Sequence, residues 1–366
     1  MNNNNSTFFG FSSFMRLDEI DWQNTFSDVG KVCPDAKEVV KYLNDVKGNA
    51  NAAYGERKKF PIKSPFIHSK SSFFQKGESE VDVDEFIQRI TKKPNNIINT
   101  NEKILKSGGP HEFVYKTGIP AFRGIVYDLE NKKFFFVNTC PGAGDCVVKC
   151  YARKGNYIRY PNSYDSMTRR INYLLNSPDK YEEQLYQELK AKCEEHGAKQ
   201  GYKPTVVIRW NDSGDFFGVK YENIATDVKN KLTKEGYKIK AYAYTKVAET
   251  AKKGKVGLVT FSQGAKSSET EKAKNIERNS YIIPKSIFSN LNLMKIEDED
   301  KLKLNVISYM KSKLKIDIPF MNLLSYDELK QIPEKGIPRW YVIVTSEDGD
   351  DAAFRKDVKG VLLLEH

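Results

Sequence analysis

Along this chain the spacing of apolar positions changes in an orderly way, and the changes predict most of the secondary structure. Two runs dense in β-branched and aromatic residues, Gly124 to Asp128 and Lys133 to Asn138, flank the turn-like Leu129-Glu130-Asn131-Lys132 and predict a hairpin. Helical spacing follows at Ser163 to Leu175 and Tyr181 to Glu195, divided by Ser177-Pro178-Asp179, residues suited to capping one helix and starting the next. The pattern then alternates: a β-branched run at Thr205 to Trp210, a helix at Val219 to Leu232, a strand at Tyr237 to Tyr244, a short Lys-rich helix, and a strand at Val256 to Phe261. Strands separated by helices of this length pair in parallel through right-handed crossovers. The expected fold is therefore α/β, a partial TIM-barrel-like parallel sheet of βα units.

The flanks are less regular. Residues 1–110 are polar and turn-rich, with helical patterns at Ala36 to Val46 and Val83 to Ile90, and read as an N-terminal elaboration. Residues 111–290 form the expected core domain, and 291–363 a C-terminal appendage in which the apolar run Trp340 to Val344 is expected as an edge strand. Lys266 to Asn279 is charged and suits a surface helix or loop, and Ile296 to Lys301 is a further charged run. The final residues 364–366, Leu-Glu-His, read as a tag remnant and are excluded from functional argument.

At 366 residues and 39% hydrophobic composition the chain can bury a sizeable core. It has no run of the roughly 20 apolar residues that a membrane span needs, so a soluble cytoplasmic protein is expected, with no membrane partner. A formal net charge of +11 makes nucleic acid a candidate partner by long-range attraction. A Lys-rich, soluble surface without a polyanion partner is the other reading of the same excess.

Three of the five cysteines, Cys140, Cys146 and Cys150, fall in one short loop with five and then three residues between them, interleaved with Pro141, Gly142 and Gly144. Glycine tolerates φ > 0 and close backbone approach, so such a loop can wrap an ion. An odd count with three thiols this close suits metal ligation better than a disulfide framework. A [4Fe-4S] cluster on three thiolates is the favoured occupant, with Lys149, Arg153 and Lys154 offsetting its negative charge. Zinc is the alternative, and needs a fourth ligand such as His111, Cys193 or His196.

Asn211-Asp212-Ser213-Gly214-Asp215 follows the strand Thr205 to Trp210 directly, and ligands of parallel sheets bind at the carboxyl ends of strands. The next two strands end in Tyr244-Thr245-Lys246 and Ser262-Gln263-Gly264. Three successive polar strand ends suggest one shared site, in which Arg209, Asp212, Asp215 and Lys246 would act on substrate and Tyr151, Asn211, Ser213, Gly214, Thr245, Ser262 and Gln263 would hold a cofactor. An ordinary capping turn is the plainer account of any one of them. Lys154, Asn156, Tyr157, Arg159, Arg169 and Arg170 form a basic, aromatic segment suited to phosphates and bases, or to a solvated helix face.

Two stretches carry a family resemblance: Cys146-Val-Val-Lys-Cys-Tyr-Ala-Arg-Lys-Gly-Asn-Tyr with Arg159-Tyr-Pro-Asn, and Ile208-Arg-Trp-Asn-Asp-Ser-Gly-Asp-Phe. Over roughly residues 130 to 265 the chain resembles the phage gene product eighty-eight domain family, through the motifs CYA-x-KGNY and R-x-x-DSGD. The layout, a strand running into a three-cysteine loop and then βα units, also resembles the radical S-adenosylmethionine superfamily. That likeness implies a cluster whose open iron binds S-adenosylmethionine. This chain departs from the superfamily's usual spacing of three then two residues, and its aromatic, Tyr151, follows the last cysteine instead of preceding it. Many members of the phage family carry a second cysteine group near the C-terminus, and this chain has none there. The expected function is an iron-sulfur enzyme of phage origin, within a host cytoplasm, on a substrate the sequence does not identify, for which a nucleic-acid-related molecule is the candidate. A metal-stapled nucleic-acid-binding module without catalysis is the alternative.

Overall fold

A computed structural model describes residues 26, 28–43, 45, 83–153, 157, 161–291 and 296–365. Its strands are β1 Lys31–Val32, β2 Glu112–Lys116, β3 Arg123–Asp128, β4 Lys133–Asn138, β5 Thr205–Trp210, β6 Ile239–Thr245, β7 Leu258–Ser262, β8 Asn279–Ile283, β9 Leu323–Leu324, β10 Trp340–Val344 and β11 Val358–Leu364. Two compact units interleave along the chain. One draws on Met1–Ile98, Thr117–Ala191 and Asn211–Lys231, the other on Asn99–Lys116, Lys192–Trp210 and Leu232–His366.

The first unit contains the expected hairpin. β3 and β4 pair antiparallel in full register from Arg123 opposite Asn138 to Asp128 opposite Lys133, and β1 adds to the far side of β4. The turn closes because the Asp128 carboxylate accepts the backbone N–H groups of Glu130 and Asn131, at 2.9 and 3.1 Å. The helix Pro161–Asn176 packs on β3, and Gly124 permits the approach, since a Cβ there would stand 2.6 Å from Ile171 Cδ1. Helix Val83–Thr91 adds Phe86 and Ile90 to a core with Val39, Leu43, Ile125, Phe134 and Tyr164. Of the predicted helical pattern at Ala36 to Val46, residues 36–43 are helical, and 44 and 46 lie outside the described residues.

The second unit holds an eight-stranded sheet in the order β2-β5-β6-β7-β8-β11-β10-β9, every pairing parallel. The α/β class and parallel sheet expected from the alternating pattern are what this unit contains. β5 is buried at nearly every position, as strands covered on both faces are. In β10 and β11 the two faces separate by alternation. Ile343, Leu362 and Leu364 pack with Leu302, Val306 and Met310 of helix Ile296–Leu314, whereas Val342, Val344 and Val361 pack with Leu329 and Ala352.

The run Trp340 to Val344 is not the edge strand expected of it, because β9 lies on one side and β11 on the other. β11 itself extends to Leu364, paired with Ile283, and the Glu365 N–H donates to the Ile283 carbonyl at 2.9 Å. The charged run at Ile296 to Lys301 opens a helix of 19 residues. Among the described residues no helix is long and apolar enough to cross a membrane.

Candidate metal centre

In the first unit, β4 delivers its last residues straight into the cysteine loop. Buried Thr139 anchors the exit, its hydroxyl donating to the Pro120 carbonyl at 2.6 Å. The Cys140 N–H donates to the Asn138 side chain, and Ala143 N–H returns to the Cys140 carbonyl at 3.0 Å, so the loop turns at once. Cys146 opens the short helix Cys146–Lys149, and Cys150 precedes the 3-10 turn Tyr151–Arg153.

Cys140 has defined surroundings. Its Sγ accepts the backbone N–H of Phe122 at 3.2 Å. Phe122 reaches it with φ +67°, a left-handed conformation that a bulky residue adopts only where its surroundings enforce it. Burial pushes the Cys140 thiol up to about 12, the charge of Asp215 adds to that, and the Phe122 N–H opposes it; Cys150 and Cys146 also reach it electrostatically. A buried thiol beside a carboxylate holds its proton unless a cation enters, and a coordinating metal reverses that balance. Three thiols in one loop, one with a backbone N–H aimed at its sulfur, are the donor set that a thiolate-bound metal would use. Among the described residues, no group of three or more His, Cys, Asp or Glu side chains stands together as a ready metal cage.

The Asp212 loop belongs to the same unit and is stitched to the neighbouring backbone. Asp212 N–H donates to the Thr117 carbonyl at 3.0 Å, Ile119 N–H to that of Ser213 at 3.1 Å, and Asp215 N–H to that of Thr139 at 2.9 Å. Asn211 and Gly214 take φ of +54° and +78°. Gly118 makes room for the acid, since a Cβ there would lie 2.3 Å from Asp212 Oδ1. Both tyrosines of the CYA-x-KGNY motif converge on Asp212. Tyr157 donates to its Oδ2 at 2.7 Å and Tyr151 to its backbone carbonyl at 2.5 Å. Tyr221 donates to Asn211 Oδ1 at 2.6 Å. Asn211 Nδ2 and Ser213 Oγ are buried polar atoms with no hydrogen-bond partner among the described residues.

The basic segment divides. Arg170 is 3% exposed and donates to the carbonyls of Asn96 and Gly118, so its expected place at a nucleic-acid surface is corrected to a structural one. Arg169 donates to the Arg89 carbonyl at 2.8 Å, and Tyr157 serves Asp212. Lys154, Asn156 and Arg159 lie outside the described residues.

In the second unit, Arg209 is ion-paired with buried Asp350, which also accepts from Tyr242 at 3.0 Å and pairs with Lys103 at 3.3 Å. Burial alone pushes the Asp350 carboxyl up, but Arg209 and Lys103 outweigh it and hold the group below its usual range. Lys246 donates to Ser262 Oγ at 3.0 Å, Thr245 Oγ1 accepts the Val247 N–H, and Gln263 N–H pairs with the Ser280 carbonyl. His196 stacks on Phe113 with centroids 3.6 Å apart and bonds the Tyr115 hydroxyl, and Cys193 is fully buried. Asp350 and Phe122, central to their surroundings, carried no signal in the sequence, as neither lies in a recognisable motif.

Fold and site define an α/β protein whose three-cysteine loop is tied to a buried, tyrosine-held acidic loop. The chain belongs to the gene product 88 family, whose model matches residues 89–312. Neither a curated protein nor a solved structure matches it.

Proposed function

We propose that Cys140, Cys146 and Cys150 hold a [4Fe-4S] cluster and that the chain is a radical S-adenosylmethionine-type enzyme acting on a substrate related to nucleic acid. The observation that carries this reading is the Phe122 N–H aimed at Cys140 Sγ at 3.2 Å in a loop with two further thiols. Amide donors to cysteine sulfur stabilise thiolates and tune the potential of iron-sulfur centres. When bound, a cluster on three thiolates supplies single electrons and leaves one iron open for a cofactor's polar groups.

The chain's own residues supply the rest. Tyr157 and Tyr151 fix Asp212, so that its carboxylate keeps one orientation. Buried Asn211 Nδ2 and Ser213 Oγ are suited to a ligand's polar atoms, because polar groups desolvated without a partner gain most from one.

The test is to purify the protein without oxygen and to measure iron, zinc and acid-labile sulfide, in the native chain and in Cys146→Ala. About four irons with matching sulfide in the native chain, lost in the variant, and a spectral change on adding S-adenosylmethionine to the reduced protein are expected. One zinc and no colour would replace the enzyme with a zinc-stapled binding module.

A further inference from the structure

We propose that a cavity lined by Phe122, Arg123 and Arg153 binds a single nucleotide, its phosphate on the two arginines and its base against the aromatic wall. The cavity, of about 200 Å³, is lined in part by Tyr42, Asp45, Phe122, Arg123, Arg153 and Tyr164, all in the first unit. None of these residues belongs to the motifs that carry the family resemblance, apart from Arg153 at the motif's variable position.

Two cations face this space. The Arg123 guanidinium lies 4.9 Å from the Tyr42 ring centre and 4.7 Å from that of Phe136, and Arg153 lies 5.1 Å from that of Phe122. Stacking of this kind covers a guanidinium's faces and leaves its N–H edge as a fork of donors, which matches phosphate oxygens. One Arg153 nitrogen donates to the Val147 carbonyl at 3.1 Å, which fixes the side chain beside the cysteine loop. Neither arginine is ion-paired with a carboxylate among the described residues, so an anion would meet two guanidiniums whose charge is not already neutralised.

The rest of the lining suits a base. Tyr42 and Phe122 each have one ring face under a guanidinium, so a base would stack on the opposite face, and every nucleobase offers a π-face for this. Asp45, exposed and also part of the lining, can accept from a base's amino group. A volume of about 200 Å³ is below the usual range for drug-sized ligands, so a bound nucleotide would be enclosed only in part, with the remainder at the opening. Because Phe122 both lines this cavity and donates to Cys140 Sγ, a ligand here would be next to the proposed cluster. Taking that ligand as the enzyme's substrate rests on the reading above, whereas its binding does not.

The experiment is calorimetric titration of the full chain with the four nucleoside 5′-monophosphates, the matching nucleosides, inorganic phosphate and a short single-stranded oligonucleotide. At least one monophosphate is expected to bind tenfold or more tightly than its nucleoside and than phosphate. Arg123→Gln and Arg153→Gln, each checked for native circular dichroism, should each lose at least tenfold toward the monophosphate with little change toward the nucleoside. Tighter binding of the strand, lost in the same variants, would identify the nucleotide as a unit of a polynucleotide; equal or weaker binding would identify it as free. Absence of monophosphate binding, or equal binding by the native chain and both variants, overturns the proposal. Metal analysis of the same samples separates the two readings: iron without nucleotide binding removes this inference alone, and nucleotide binding without iron removes the cluster alone.

Discussion

The Tyr157 hydroxyl donates to the Asp212 carboxylate at 2.7 Å, joining residues 55 positions apart in the chain. One closes the cysteine-loop motif and the other lies in the acidic loop, so the bond ties the two motifs to each other. Asp212 is 3% exposed, and a buried carboxylate bond of this kind contributes about 1.5 to 3 kcal/mol. Tyr157→Phe is therefore expected to lower stability to denaturant by that amount. Asp212→Asn combined with Tyr157→Phe should cost less than the sum of the two single changes. Additive losses in this cycle would show that the two side chains are not coupled.

Gly118 tests the same contact from the other side. An alanine Cβ would lie 2.3 Å from Asp212 Oδ1, and the carboxylate cannot swing clear while Tyr157 holds Oδ2. Gly118→Ala should destabilise by about 1 to 3 kcal/mol, the usual cost of overpacking. The same substitution placed in Asp212→Ala should cost much less, because the obstructing atom is gone. An unchanged cost would mean that the clash lies with the backbone.

The strands and helices from Gly124 to Phe261 were legible because their apolar periodicity is strong and the turns between them are short. The interior position of β10 and the strand β11 were not, since apolar content does not say which neighbours a strand will take. The cysteines and the Asp212 loop were legible as chemistry from residue type and spacing. Their meeting was not, because it depends on Tyr151 and Tyr157 reaching Asp212, a long-range contact that no local pattern encodes. Arg170 looked like part of a basic face from its neighbour Arg169, yet only one of the two positions turns inward.

Asp350 gives the second unit a defined acid limb. Its carboxyl is held below the ordinary range, since Arg209 and Lys103 outweigh the effect of burial. The stabilisation is therefore fully present above the unfolded value near pH ~4 and is lost as pH falls through the lower, folded value. Urea titrations from pH 6 to pH 3 should show the native chain weakening below about pH 4 more steeply than Asp350→Asn. The variant itself should lose about 3 to 5 kcal/mol at neutral pH, because Arg209, 11% exposed, loses the opposing carboxylate charge. Parallel pH curves for the two proteins would count against this assignment.

Asn172 and Asn176 cap the outer edge of β3, which has no strand beyond it among the described residues. Asn172 donates to the Ile125 carbonyl and accepts the Tyr127 N–H, each at 2.8 Å, and Asn176 donates to the Tyr127 carbonyl at 3.0 Å. Spaced one helical turn apart, the two amides do for β3 what a neighbouring strand would do, and so hold the hairpin that leads into the cysteines. Asn172→Ala would leave two of these backbone groups unpaired, at about 1 to 3 kcal/mol each. Asn172→Asp keeps the acceptor for Tyr127 N–H and removes the donor to Ile125. Hydrogen exchange distinguishes the two: the Tyr127 amide should exchange much faster in the alanine variant and stay protected in the aspartate variant. Equal exchange in both would mean that the Tyr127 amide is protected by helix packing alone and not by the Asn172 side chain.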